Sequence, residues 1–121
     1  MMEEMESVLY SISFGKQEQI GRTKFQAFSA AISNQAHVDL VLNYVARKRG
    51  IAQAKSCIVA YRVTQGPEDQ QEEQYDRMDS QETYVTEGYD DSNEEGCGQK
   101  LLSLLQRMGV ENILIIVYIW H

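Results

Sequence analysis

The chain has 121 residues and a net charge of −7, and 43% of its residues are hydrophobic, including one Trp, seven Tyr and three Phe. This length suits one hydrophobic core, and the aromatic content excludes a wholly disordered chain. An acidic start, a longest apolar run of eight residues and only two cysteines argue against a secretory signal, a membrane-spanning helix and a disulfide framework, so we expect one soluble cytoplasmic domain over residues 1–121.

The first quarter of the chain predicts a β-hairpin. Residues 7–14 alternate in a pattern typical of a half-buried strand. Residues 15–21 are polar and bounded by glycines, which indicates a turn. Residues 23–32 predict the second strand, and four of its residues are expected on one face: Phe25, Ala27, Ser29 and Ala31.

A helix is predicted next. Ser33 or Asn34 can accept backbone N–H bonds as its N-cap. An apolar stripe follows at helical spacing, formed by Val38, Val41, Leu42 and Val45. Cations at 47–49 and then Gly50 match the last turn and the end of a helix. Residues 56–63 are rich in Ile, Val and Tyr and predict another strand.

The stretch at 64–89 is polar and predicts a disordered acidic insertion at about 65–89 within the domain. Twelve of the 18 acidic residues lie at 68–95, where Arg77 is the only base, so the rest of the chain carries 10 bases against 6 acids. Without this segment the net charge changes sign. We expect the insertion to fold back over the basic face as an electrostatic cover, which requires an approach within about 8 Å at physiological ionic strength.

The last third predicts a helix and a strand. The helix is indicated by a stripe that ends before Gly109 and consists of Leu101, Leu104, Leu105 and Met108. Residues 112–119 are almost continuously apolar, which is typical of a strand covered on both faces. The predicted fold is therefore α+β, in the order β-β-α-β-α-β, with a mixed four-stranded sheet and two helices on one face.

Four blocks of sequence resemble the IMPACT family, whose bacterial member is YigZ and whose eukaryotic members regulate translation. The blocks are RTKFQA at 22–27, AYR at 60–62, DSNEEGCG at 91–98 and VENILIIV at 110–117. The resemblance implies a fold like the second domain of ribosomal protein S five. It also implies a protein partner, because eukaryotic members bind the ribosome-associated activator of the starvation-responsive initiation-factor kinase and keep that kinase from being switched on.

The chain departs from the family pattern at several polar positions. The family's histidine falls at Ser56, a strand tyrosine at Val59, and a turn glycine at Asn93, which still tolerates the left-handed conformation. The family's Ser-Arg-Trp-Tyr-Gly-Gly signature is reduced to Trp120. We therefore expect the polar site of other members to be degraded here, and the domain to be non-catalytic, with no cofactor and no metal.

The acidic loop before the second helix has several chemical interpretations. Carboxylates at 91–95 are favourable at a helix N-terminus, and the neighbouring glycines permit a tight turn. The alternatives are an anion on the glycine N–H groups, a hard cation on the carboxylates or a reactive Cys97. Carboxylate crowding disfavours the first and third, and the lack of further converging ligands disfavours the second. His37 and His121 are expected to be solvated.

The candidate partner-binding residues combine the resemblance with the frequency of Tyr and Arg at protein interfaces. They are Arg22, Lys24, Tyr61, Arg62, Asp91, Glu94 and Trp120. The leading hypothesis is a protein-binding regulatory module in translational control under amino-acid starvation, with no membrane partner. The alternative function is a nucleic-acid or ribosome-binding domain that uses the basic face. An ordinary polar sheet face accounts equally well for the basic and tyrosine positions.

Overall fold

The computed structural model describes residues 2–65 and 84–121. Within these ranges an antiparallel sheet has the strand order β1-β3-β6-β4-β5, and β2 also pairs with β3. The elements are α1 Met2–Tyr10, β1 Ser13–Phe14, β2 Glu18–Ile20, β3 Thr23–Ala31, α2 Ala36–Ala46, a 3-10 helix at Ile51–Gln53, β4 Ser56–Gln65, β5 Tyr84–Asp90, α3 Cys97–Met108 and β6 Ile113–Trp120.

The predicted α+β class is confirmed, but every pairing in the sheet is antiparallel, and the prediction of a mixed sheet is wrong. Helix α2 joins β3 to β4, and α3 joins β5 to β6. Each crossover returns the chain in its original direction, but one strand lies between the two that it joins. Parallel strands are therefore never hydrogen-bonded neighbours. Among the described residues, two strands form that were not predicted. Strand β2 lies in the segment predicted as a turn, and β5 lies mostly in the segment predicted as the acidic insertion.

The helices lie on opposite faces of the sheet, and the prediction of two helices on one face is wrong. The α2 stripe packs with α1 and with Leu114 and Ile116 of β6, whereas Leu102 and Leu105 of α3 pack on Ala60. The β3-to-β4 crossover and the β5-to-β6 crossover cross the sheet in opposite directions. Their first strands, β3 and β5, also run in opposite directions. Crossovers of one hand would place both helices on one face, so the two crossovers have opposite hands. The prediction assumed the common right-handed crossover for both.

The N-terminal segment is a helix, and the prediction of a strand at 7–14 is wrong for most of its length. Its apolar residues Met5, Val8, Leu9 and Ile12 also recur at i, i+3, i+4 and i+7, and the helical period prevails because Val8 and Ile12 are buried in the core. Acidic residues in the first turn complement the helix dipole.

His37 holds α1 against α2, so the expectation that it is solvated is wrong. The ring is buried, and its Nδ1 accepts a hydrogen bond from the Ser33 N–H at 3.3 Å. Its Nε2 is therefore the protonated nitrogen of the neutral ring and donates to Glu4 Oε2 at 2.9 Å.

The hairpin is confirmed in altered form, because the edge beside β3 is divided into β1 and β2. The core-facing residues of β3 are Phe28 and Ala30, while Ala27 and Ala31, which were expected to share a face, are exposed on the other side. The alternation of residues along β3 shows which side chains share a face, but it does not show which face meets the core.

The segment at 84–89, expected within the disordered insertion, forms most of β5, which pairs with β4 from Val59↔Asp90 to Gln65↔Tyr84. Pairing with an already buried strand supplies the hydrogen bonds that its polar composition could not predict. The rest of the predicted insertion and its electrostatic cover lie outside the described residues.

The helix ends follow local signals only in part. The N-cap of α2 is Gln35, whose side chain makes no capping bond, so the prediction of Ser33 or Asn34 as the N-cap is wrong. Asn34 Oδ1 still accepts a hydrogen bond from the Ala36 N–H at 2.7 Å, one residue before the N-cap. Helix α2 ends at Ala46, so the cations at 47–49 lie beyond its last turn. Gly109 ends α3 in the left-handed conformation, with a φ of 69°.

We predict that two adjacent leucines of α3 differ sharply in their contribution to stability. Leu105 is 5% exposed and Leu104 is 43% exposed, although both were expected in the buried stripe. Leu105→Ala should lower the free energy of unfolding by about 2–5 kcal/mol. Leu104→Ala, the matched control with the same change in helix propensity, should lower it by less than about 1 kcal/mol. Equal losses in urea denaturation would contradict the packing of α3.

Candidate functional site

The register of β3 against β6 separates the predicted site residues between two ends of the sheet. Lys24 at the start of β3 lies opposite Trp120 at the end of β6, and Arg22 is in the preceding turn. Arg62 lies opposite Ile113, at the start of β6. Because β6 has eight residues, the ends are roughly 25 Å apart. We call them the Trp120 end and the Arg62 end.

A cavity of about 300 Å³ opens at the Trp120 end, on the face of the sheet that α2 covers. Lys24 and Trp120 share this face because opposed residues of antiparallel strands point to the same side. The segment after α2 forms the other wall, where Gly50 O accepts a hydrogen bond from Trp120 Nε1 at 3.2 Å. The polar lining includes Gln17, Arg22, Lys24, Gln26, Arg49 and Gln53.

Asp91 caps the N-terminus of α3. Its Oδ1 accepts from the N–H groups of Gly98 at 2.7 Å and Gln99 at 3.2 Å, and its Oδ2 accepts from the Gly96 N–H at 3.0 Å. These bonds, that of Gly96 foremost, lower the pKa of Asp91. Gly98 permits the close approach, because a Cβ there would lie 2.6 Å from the Asp90 carbonyl oxygen. The carboxylate therefore has a capping role, as the favoured interpretation of this loop predicted.

Tyr61 and Arg62 do not join the other candidates. Arg62 Nε donates to Glu87 Oε1 at 2.8 Å and Nη1 donates to Val110 O at 3.2 Å, and only 14% of its side chain is exposed. Tyr61 OH accepts from Gln35 Nε2 at 3.0 Å, and its ring lies where a Cβ on residue 88 would be. Both side chains hold β4 to its neighbours, since β6 and not the Arg22 hairpin lies beside β4.

The loop conformation differs from the expectation at one position. The left-handed residues before α3 are Ser92, with a φ of 54°, and Gly96, with a φ of 85°. Asn93, expected to take that conformation, instead donates from Nδ2 to Lys55 O at 2.9 Å. Over the described ranges, no three His, Cys, Asp or Glu side chains converge as a metal site would require. None of the helices in those ranges has the length and apolar character to cross a membrane.

Comparison with protein-family models matches residues 21–121 to the Impact N-terminal domain. The chain belongs to the Impact N-terminal domain family. The resemblance inferred from the four sequence blocks is thereby confirmed, and the match includes every element from β3 to β6 together with the Trp120 end.

The curated relatives include Protein IMPACT-B of Xenopus tropicalis and Protein IMPACT of Danio rerio. Each is 30% identical over 100 residues, which is 83% of this chain and 27% of the relative. This Impact N-terminal domain therefore spans about a quarter of the length of the curated relatives that it matches.

Two solved structures share the fold. One is the two-domain translational regulator Yih1, with a TM-score of 0.63 and 20% identity over 91% of this chain and 37% of that one. The other is a crystal structure of a hypothetical protein, with a TM-score of 0.59 and 18% identity over 94% of this chain and 48% of that one.

Ser56, where the resemblance would place the family's histidine, is hydrogen-bonded to the acidic loop of this Impact N-terminal domain. Glu94 Oε2 accepts from the buried Ser56 Oγ at 2.8 Å and contacts His121 Nε2 at 2.9 Å. These bonds, that of His121 foremost, lower the pKa of Glu94 and make it a weak base. Among the described contacts, His121 Nε2 meets the carboxylate of Glu94 and not the Ser56 hydroxyl.

Arg49 and Gln26 were missed as site residues by the sequence reasoning. Arg49 was interpreted as a cation in the last turn of α2, and it reaches the cavity only because that helix ends at Ala46. The position of Gln26 in the cavity lining follows from the register of β3 and β6, which places Gln26 opposite Tyr118. The RTKFQA block at 22–27 contained the available signal, since its alternate residues Lys24 and Gln26 share one face.

We predict that the Asp91 cap contributes a pH-dependent part of the stability of this Impact N-terminal domain. Its folded-state pKa lies below the ordinary value of 3.8, so the contribution is present above that value and is lost as pH falls through the folded-state pKa. Asp91→Asn should lower the melting temperature near pH 7, and the difference from the unsubstituted protein should shrink under strongly acidic conditions.

Glu95→Gln is the matched control, because Glu95 is an exposed carboxylate of the same loop. Its substitution removes the same negative charge as Asp91→Asn does. Thermal unfolding between about pH 2 and pH 7 should show parallel curves for this control and the unsubstituted protein. A curve for Asp91→Asn that is parallel to both would contradict the capping role.

Proposed function

We propose that this domain is a non-catalytic protein-binding module in cytoplasmic translational control under amino-acid starvation. The observation that carries the proposal is membership of the Impact N-terminal domain family over residues 21–121, together with the shared fold of a translational regulator. The proposed partner is the ribosome-associated activator of the starvation-responsive initiation-factor kinase, and binding would keep that kinase from being switched on.

An exposed aromatic surface beside the C-terminal end of α2 supports protein binding. Phe14 is 48% exposed and Tyr44 is 39% exposed. Lys48 Nζ lies 4.5 Å from the centroid of the Phe14 ring and 5.2 Å from that of Tyr44. Aromatic residues are enriched at protein interfaces, and side chains that are already held in place lose little conformational freedom on binding. We call these three residues the aromatic surface.

The polar groups of the acidic loop support a non-catalytic role. Asp91 is engaged by three backbone N–H groups, and Glu94 is engaged by Ser56 and His121. Both carboxylates have lowered pKa values, whereas a general base acting near pH 7 needs a raised one.

The test is a pull-down from a eukaryotic cytosolic extract with the immobilised domain. We predict that the kinase activator is recovered and that recovery survives RNase, because the proposed contact is between proteins. Recovery that disappears with RNase would support the alternative of ribosome or nucleic-acid binding. Absence of the activator in both arms would remove the translational part of the proposal.

Variants of the aromatic surface locate the contact. Phe14→Ala combined with Tyr44→Ala should weaken the activator contact by about 2 kcal/mol or more, which is roughly 30-fold in Kd. Tyr89→Ala is the control, because Tyr89 is 47% exposed but lies on β5 at the far edge of the sheet. An equal loss in the control, with circular dichroism unchanged, would exclude the aromatic surface.

A further inference from the structure

The cavity at the Trp120 end gathers positive charge in a confined volume. Arg22, Lys24 and Arg49 all line it, and among the described residues neither an Asp nor a Glu belongs to the lining. His121, which also lines the cavity, contacts the carboxylate of Glu94, and Ser56 donates a hydrogen bond to the same oxygen. Within about 300 Å³ the lining thus carries three positive formal charges.

These three cations have no partner among the residues that the structure describes. Across residues 2–65 and 84–121, Arg22, Lys24 and Arg49 form neither a salt bridge nor a side-chain hydrogen bond, whereas Arg62 at the Arg62 end is held by Glu87. Three like charges that share a cavity repel one another, and a bound anion relieves that repulsion. Guanidinium groups also match the geometry of phosphate oxygens through paired N–H donors.

The rest of the lining suits a ring with polar edges. Trp120 supplies an indole whose position is set by its bond to Gly50, and aromatic side chains stack nucleobases without strong sequence preference. Gln26 donates Nε2 to Gly15 O, so its side-chain oxygen is available as an acceptor. Gln17 and Gln53 add amide groups that can bond base edges. The volume exceeds the needs of inorganic phosphate alone.

We propose that this cavity binds a nucleoside phosphate, with the phosphate on Arg22, Lys24 and Arg49 and the base against Trp120. The ligand is either a free nucleotide or one nucleotide of a single-stranded RNA, which present the same chemistry. This site goes beyond the proposed protein contact and does not depend on it, because the aromatic surface is formed by other residues.

The fluorescence of Trp120 reports occupancy, since it is the only tryptophan in the sequence. The full chain is titrated with AMP, with a 5′-phosphorylated oligoadenylate, with adenosine and with inorganic phosphate. We expect saturable quenching by AMP or the oligonucleotide, and at least tenfold weaker effects of adenosine and phosphate. Tighter binding of the oligonucleotide by tenfold or more assigns the site to RNA, and comparable or tighter binding of AMP assigns it to free nucleotides. No saturable change with either would overturn the proposal.

Charge variants separate this site from non-specific attraction. Lys24→Gln and Arg49→Gln should each weaken binding about tenfold, while Lys24→Arg should retain it. Arg107→Gln on α3 is the matched control, because that helix covers the opposite face. For RNA, log Kobs against log salt should have a slope of about −2 in the unsubstituted protein, and about 0.7 less in magnitude in Lys24→Gln. Equal weakening in the control and the cavity variants would overturn the proposal.

Discussion

Strand β6 is hydrogen-bonded along both edges and covered on both faces, and the remaining elements are arranged around it. It lies between β3 and β4, with Leu114 and Ile116 fully buried against the α1 and α2 side. Ile113 and Ile115 meet α3 on the other side. Burying both faces of an all-apolar strand in this way provides the hydrophobic stabilisation on which shorter and more polar strands depend.

The start of β6 is fixed by a single polar residue. Asn112 adopts a φ of 59°, and its Oδ1 accepts from the Thr64 N–H at 3.1 Å while its carbonyl accepts from the Ile32 N–H at 3.2 Å. It thereby joins β3 and β4 to β6 at the Arg62 end. A register shift of one residue would turn every side chain of β6 to the other face. The opposition of Lys24 and Trp120, and hence the cavity, follows from this register.

The strongly periodic or continuously apolar segments were predictable from sequence. The α2 stripe, β4, β6 and the end of α3 at Gly109 all carry local signals that packing does not overrule. Residues 7–14 fit two periods at once, and only the buried contacts of Val8 and Ile12 select the helix. The buried face of α3 was misassigned for a related reason, since the spacing of apolar residues does not by itself determine which side of an element meets the core.

The role of a site residue was predictable where a local sequence rule determines it, and it was not predictable where the order of strands in the sheet determines it. Asp91 was expected at a helix N-terminus, and its capping bonds follow from that position. Arg62 was grouped with Lys24 because the resemblance placed the hairpin of Arg22 and Lys24 beside the strand of Arg62, but β6 and the length of the sheet separate them. Arg49 reached the cavity through the early end of α2, which no local pattern indicated.

Amide hydrogen exchange of the full chain tests most directly whether β6 is the element on which the fold depends. Amides at 114–118 should exchange only through global unfolding, at least about a thousandfold more slowly than those of the edge strand β2. Rates in β6 as fast as those in β2 would contradict a central, doubly covered strand, and with it the register that brings Lys24 and Trp120 together.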